Sequence, residues 1–549
     1  MKKGRTKFME VMDLFLPSTN TLVNDYLTNK IDTYNYFDYD IHSPLVYEVR
    51  KKDVLSRTFP RERLVQHLLN FNRKYNSHEQ TIKNIYKLSD PNSVVVVGGQ
   101  QAGVLTGPLY TIHKIISIIK LARQQEELLN IPVIPVFWIA GEDHDFAEIN
   151  HLFVNDGNHI RKKILPQQQH SKSMVTSIEI DKKLCEDWLK EVFETYGETD
   201  NTNEIIQLLL LQLEKSTTYV DFFMQIISTL FGDTGIVMVD SGSVELREIE
   251  SDFLVEIIEK NRGIHDAVLH QQEILQSANY SKSIEMNENS ANLFYQVGSD
   301  RVLLEYYPEH DIFRGKNNEC ILCSEELIEF AKTHPGSISN NVITRPLMQE
   351  LLFPTLAFIS GPGEVSYWAE LKQAFTVMGM KMPPVVPRLM MTIIERSIES
   401  NIVDIGLSIS DAINGKVMSA KNAWIAKHTS NFDDVMIQAK QEAENIHKRV
   451  RNAALEIDKS LLDLLLKNAE NFQTQLEFVN HTVSKRVLLQ NEVEMKKFER
   501  IEYSLKPLGS PQERIWNIFY YLNKYGLDFT SNLVELPFEF NGKHKIIKV

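Results

Sequence analysis

The chain has 549 residues, 43% of them hydrophobic and 24% charged, and carries a formal net charge of −14. That length allows about three domains, and the composition is that of a soluble globular protein. The acidic balance argues against a nucleic-acid phosphate surface, which needs a basic stripe. No apolar run approaches the roughly 18 residues of a membrane span, and the polar start MKKGRTKFMEVM lacks a signal-peptide core, so a cytoplasmic protein is expected.

Residues 1–85 read as short helical stretches, among them RERLVQHLLNFNRKY, packing on a core. The first half of that core is expected over residues 86–155. Val94 to Val97 form a β-branched run that predicts a buried strand ended by Gly98 and Gly99. A polar, Gly-rich loop follows with Gln100, Gln101, Gly103, Thr106 and Gly107. Pro108 then falls at the expected first helical position, with Thr106 placed to cap it. Strand, Gly-rich loop and helix N-terminus together suit an anion, and His113 and Lys114 lie about one turn in. The loop is neither a Walker A sequence nor a GxGxxG, so a plain βα turn fits the pattern equally well.

Pro132 to Trp138 predict a second buried strand, which runs into Glu142-Asp143-His144-Asp145, with Glu148 and His151 beyond. Ligands of open α/β sheets bind outside the carboxyl ends of the strands. Carboxylates and imidazoles at such a place suit Mg²⁺–phosphate binding or acid–base work, and a solvated acidic loop is the plainer alternative.

Residues 156–230 turn from polar to helical and suit an insertion. The second half of the core is expected over 231–400, with a small insertion near 280–340. Gly235 to Ser241 reads as a return strand whose carboxyl end places Asp240 near a cleft, with a cap on the following helix as the plainer role. The three cysteines, Cys185, Cys320 and Cys323, cannot build a disulfide framework, and the lone CxxC lacks the further ligands zinc needs. In SNNVITRP, Arg345 offers a bidentate fork for a carboxylate or phosphate, unless it pairs with a nearby acid. Gly361 lets backbone approach a ligand, Glu364 and Tyr367 follow at helical spacing, and Arg388 closes the last core strand. From Lys416 to Lys506 there is no Gly or Pro. Ala443, Ile446, Val450, Ala453 and Ile457 alternate spacings of three and four, the pattern of a helical hairpin or an intersubunit coiled coil. Residues 507–549 are expected to pack back on the core.

The blocks GGQQAGVLTGPLYTIHK, FWIAGEDHDFAEINH, SNNVITRPLMQ, ISGPGEVSYWAEL and LKPLGSPQERIWNIFYYL resemble the cysteine ligases of bacillithiol biosynthesis. The resemblance runs from about residue 90 to the C-terminus. It implies an α/β Rossmann-type core with inserted connecting domains, like that of class I aminoacyl-tRNA synthetases, plus a C-terminal α-helical coiled coil. It also implies amide formation between cysteine and the malyl carboxylate of glucosaminyl-malate, with ATP activation. Both synthetase signatures are missing: there is no HxGH, and Lys416 to Lys421 only loosely matches KMSKS. On this reading Gln100, Gln101, Gly103, Thr106, Gly107, Tyr110, His113 and Lys114 hold the nucleotide. Glu142, Asp143, His144 and Asp145 bind Mg²⁺ or deprotonate the amine, while Arg345, Gly361, Glu364, Tyr367 and Arg388 orient substrates. The stripe in 416–506 makes a homodimer. Another small-molecule ligase or nucleotidyltransferase on the same fold, or a coiled-coil scaffold with an inactive core, are the rival readings.

Overall fold

The computed structural model describes residues 9–75, 77–157 and 159–549. It divides into two compact units, one of residues 9–392 with 513–547 and one built on 393–512.

The larger unit is organised by a five-stranded parallel sheet. Its central strand is Val94–Gln100, flanked on one side by Val133–Ile139 and then Val237–Asp240, and on the other by Thr355–Ser360 and then Val385–Pro387. Val94 to Val97 and Ile134 to Ile139 are wholly buried, as continuous apolar runs require when helices cover both faces. Gly98 and Gly99 do not end the first strand; they pair in register with Phe137 and Trp138. A Cβ at Gly99 would meet the Trp138 carbonyl at 2.7 Å, so the strand continues only because glycine stands there. The chain moves outward in one direction after the central strand, then returns to build the other side. The strand order therefore reverses between Val94–Gln100 and Thr355–Ser360, the switch point at which a crevice opens.

Two segments interrupt this order. Between Ile139 and Val237 come the hairpin His151–Asn155/Ile160–Ile164 and the helices Lys182–Tyr196, Thr202–Glu214 and Tyr219–Phe231. Between Asp240 and Thr355 lie the helices Val244–Glu259 and Asn261–Ser277, then an antiparallel sheet containing Ser290–Val297, Asp300–Tyr307 and Ile338–Asn340. The N-terminal helix Val46–Leu55 is tied to the core by Arg50, whose buried guanidinium reaches Glu350 at 2.6 Å and the Thr355 carbonyl at 2.9 Å.

In the smaller unit, Val417–Ile457 and Leu462–Gln490 fold back as an antiparallel hairpin, with Lys440 paired to Glu477 and His447 to Asn468. Thr429, Met436 and Ala443, seven residues apart, are the buried residues of its seam. Of the expected stripe only Ala443 faces inward; Ile446, Val450, Ala453 and Ile457 are exposed on the single chain. Lys416 opens the long helix and pairs with Asp411. No helix among the described residues is long and apolar enough to cross a membrane.

Candidate active site

A cavity of about 450 Å³ lies at the switch point, entirely within the larger unit. Gly99, Gln100 and Gln101 from the end of the central strand, and Ala140 after its neighbour, form the floor. Glu142, Asp143 and His144 border it, and Glu364 enters from the helix after Thr355–Ser360. The second insertion contributes Phe294, Arg301, Leu303, Asn340, Asn341 and Val342, and Arg345 completes the wall.

Charge in this wall is held in place from behind. Lys114, 2% exposed, donates to the Gly99 carbonyl at 2.6 Å and to Gln100 Oε1 at 3.2 Å, and pairs with Glu364. Burial pushes its pKa below the ordinary value, against the pull of Glu364. Glu364 also accepts from the Gly361 amide at 2.6 Å, its side chain reaching back to the N-cap of the helix Pro362–Trp368. Among the described residues Arg345 makes one side-chain hydrogen bond, to the Tyr367 hydroxyl, and no ion pair. Burial works against its charge, but Tyr367 and the Glu364 and Glu142 carboxylates more than offset this and raise its pKa.

Glu142 is 3% exposed. Its Oε2 accepts from Arg247 at 2.6 Å and from the Asn340 amide at 3.1 Å, while its buried Oε1 has no partner among the described residues. Arg247 is fixed in turn by the carbonyls of Ser241 and Ile338 and lies 3.3 Å from Glu250. Burial raises the Glu250 carboxyl to about 8. Arg301 stacks over Phe294 at 3.6 Å and donates to Ser339 Oγ and the Asn340 carbonyl. It also meets His144 Nδ1 at 3.2 Å. A guanidinium can only donate, so Nδ1 accepts and the imidazole is the neutral Nε2–H tautomer. Burial and Arg301 both lower the His144 pKa. His144 thus presents a hydrogen-bond donor at Nε2 rather than a base. Asp143 accepts from Gln101 Nε2 at 2.6 Å, and Gln101 also reaches Glu148.

Other expected residues sit elsewhere. Asp145 caps the short helix Phe146–Ile149 through the Ala147 amide and does not line the cavity. Asp240 does not cap a helix. Ser243 does that, and Asp240 instead holds Thr176 and the Gly242 amide, with burial raising its carboxyl to about 6. Gly103, Thr106 and Gly107 form a buried turn outside the cavity. Thr106 has a φ of 70° and makes no cap; Pro108 is itself the N-cap, one position earlier than expected. The Gly103 and Gly107 amides donate to Gln101 and Val104 carbonyls, and the Leu109 amide donates to Trp516 O. Asn517 Nδ2 bonds the Leu105 and Gly107 carbonyls. The C-terminal segment thus covers the helix end that sequence pattern offers to an anion. Tyr110 and Tyr367 are outside the cavity lining. His113 and Arg388 converge on Glu513, at 3.0 Å and at 2.6 and 2.7 Å, as a buried cluster. Among the described residues no group of three or more His, Cys, Asp or Glu is placed to hold a metal ion.

Sequence reasoning missed Arg247, Arg301 and Phe294, each a single residue in an ordinary helix or strand pattern. Asn340 stood within the quoted SNNVITRP block, a signal that went unused.

The family model described as the N-terminal Rossmann-like domain of bacillithiol biosynthesis BshC matches residues 9–389. The chain belongs to the BshC family. The family's C-terminal coiled-coil domain matches residues 391–549. Relatives bearing the name "Putative cysteine ligase BshC" include one from Geobacillus sp. (strain WCH70), 45% identical over 542 residues. Others come from Geobacillus thermodenitrificans and Bacillus licheniformis, each 44% identical. In all three cases the match spans 98% of this chain and the whole of the relative. The fold is accordingly that of a BshC protein: a Rossmann-like domain followed by a coiled coil.

Proposed function

We propose that this protein is an amide-forming ligase that joins the amine of cysteine to the malyl carboxylate of glucosaminyl-malate, the cysteine-adding step of bacillithiol synthesis. The name shared by its full-length relatives supports the cysteine-ligase class. The observation that carries the reading is the switch-point cavity, which gathers the Arg345 and Arg301 guanidiniums and the Glu142, Asp143 and Glu364 carboxylates around one space. Such a wall suits substrates that bring both signs of charge.

Condensing a carboxylate with an amine in water needs an activated acyl group, and ATP is the proposed source. The Gly103–Gly107 turn does not fit a phosphate cradle, because both glycine amides and the Leu109 amide already donate within the protein. No step is assigned to that turn. Mg²⁺, where required, is taken to arrive mainly on the nucleotide's phosphates. The enzyme is proposed to work in the cytoplasm as a homodimer, joined through the exposed Ile446–Val450–Ile457 face that a lone chain leaves in water.

The test is mass spectrometry on the purified protein mixed with glucosaminyl-malate, cysteine and ATP. Appearance of the condensed product with nucleotide consumption supports the ligase. ATP turnover only with other acids or amines would move the protein to a different ligation.

A further inference from the structure

Behind the cavity wall two carboxylates compete for one buried guanidinium. The side chains of Arg247, Glu142 and Glu250 are 2%, 4% and 1% exposed, and Arg247 stands against both acids. Glu142 is the better served: its Oε2 accepts from Arg247 Nη2 at 2.6 Å and from the Asn340 amide. Arg247 Nε donates to the Ser241 carbonyl at 2.9 Å, and Glu250 Oε2 lies 3.3 Å from that same nitrogen. Neither Glu250 oxygen has a hydrogen-bond partner among the described residues. A buried carboxyl with no donor of its own is far costlier ionised than protonated. Burial accordingly raises Glu250 to about 8, against the pull of Arg247 and with a push from Glu142. Those are the two charges that bear on it. His67, His265, Lys332, Arg345 and Glu350, carried by helices packed against Val244–Glu259, do not. With Glu250 neutral, the buried acids Glu142 and Asp240 match the buried guanidiniums of Arg247 and Arg301.

We propose that Glu250 is a positioning residue for the cavity: as a neutral acid it leaves Arg247 to Glu142, and on ionising it draws Arg247 away and frees the Glu142 corner. The distances supply the route. Arg247 Nε is already 3.3 Å from Glu250, and an ionised acceptor outcompetes the neutral Ser241 carbonyl. Turning the guanidinium that way withdraws Nη2 from Glu142 and Nη1 from the Ile338 carbonyl. Ile338–Asn340 is the strand through which the second insertion reaches the cavity, and its Asn340 amide hangs on the same Glu142 oxygen. One proton on Glu250 thus governs whether the loop after Val133–Ile139 and the second insertion are locked together. Its effect on turnover rests on the ligase reading above; the link itself does not.

The test is hydrogen exchange of the full-length protein and of Glu250→Gln, which fixes the neutral form, compared at equal pH so that intrinsic exchange cancels. At about pH 6.5 the Ile338–Asn340 amides should be equally protected in both. At about pH 9, where about nine-tenths of the parent's Glu250 is ionised, the parent should exchange there about tenfold faster than the variant. Turnover of the variant relative to the parent, read as product from cysteine, glucosaminyl-malate and ATP, should rise about tenfold over the same span, a ratio in which substrate ionisation cancels. An exchange ratio that stays flat with pH overturns the proposal, and so does a flat turnover ratio where product forms. The expected exchange without product from either protein would keep the Glu250 link and remove the ligase reading. If the variant does not fold, the parent decides alone. Its Ile338–Asn340 amides must then accelerate above about pH 8 relative to those of the buried strand Val94–Gln100, and parallel behaviour overturns the link.

Discussion

Replacing Glu513 by glutamine isolates the contribution of the buried cluster that ties the C-terminal segment to the core helix. Glu513 and Arg388 are each 5% exposed and share two hydrogen bonds, at 2.6 and 2.7 Å, and His113 Nδ1 adds a third at 3.0 Å. Burial alone would raise the Glu513 carboxyl, but Arg388 and His113 hold it well below the usual range. Glutamine keeps the shape and one acceptor but leaves the Arg388 charge buried without a counter-ion. Breaking one side of such a pair costs about 3–5 kcal/mol, and the retained acceptor argues for about 3. That corresponds to amide exchange on the order of a hundredfold faster wherever opening of this segment limits it. Hydrogen exchange in the helix Ile518–Tyr525 reads this directly, without requiring the two units to unfold together. Arg388→Met combined with Glu513→Gln removes both charges and should return protection to within about 1 kcal/mol of the parent, because the pair repays little beyond its own desolvation. A single variant with unchanged exchange, or a double variant worse than the two singles added, would refute the cluster's role as a charge-compensated anchor.

His67 and His544 are buried, and burial pushes both imidazoles down to about 4 from an ordinary 6.5. The unfolded chain takes up these protons first, so stability falls as pH drops from about 6.5 toward 4, by roughly 2 kcal/mol per histidine by pH 5; thermal midpoints of the parent and of His67→Gln across that range check it. His144→Ala should lower turnover at least tenfold with little change in melting temperature, whereas Asp145→Asn, at an exposed cap, should alter turnover less than twofold; equal losses in steady-state assays would return Asp145 to the site. Gly141→Ala should destabilise by about 1–3 kcal/mol, since its Cβ would push the buried Asp240 and Thr176 side chains out of their hydrogen bond, and thermal melts read the outcome. Ile446→Glu with Val450→Glu should yield folded monomers by light scattering, and a parent that is already monomeric at micromolar concentration would rule out the dimer.

What the sequence alone determined were features with a strong local cause. Continuous apolar runs such as Val94–Val97 and Pro132–Trp138 announced buried parallel strands, and a Gly- and Pro-free stretch of three–four spacing announced the long helices. The Glu142–His144 block was likewise legible, because it follows a strand and breaks its apolar pattern, and Arg345 and Glu364 flank the next apolar run, Thr355–Ser360. Tertiary structure decided the rest. The Gly-rich turn looked like an anion cradle because nothing local reveals that Trp516 and Asn517, some four hundred residues away, satisfy its polar groups. The stripe at Ile446 and Val450 could not be oriented from spacing, since which face of a helix is buried depends on where its partner packs, here along Thr429, Met436 and Ala443. Arg247 and Arg301 were invisible for the same reason. A lone arginine acquires a role only when folding sets it against particular distant groups: Glu142 for Arg247, and His144 with the Asn340 carbonyl for Arg301.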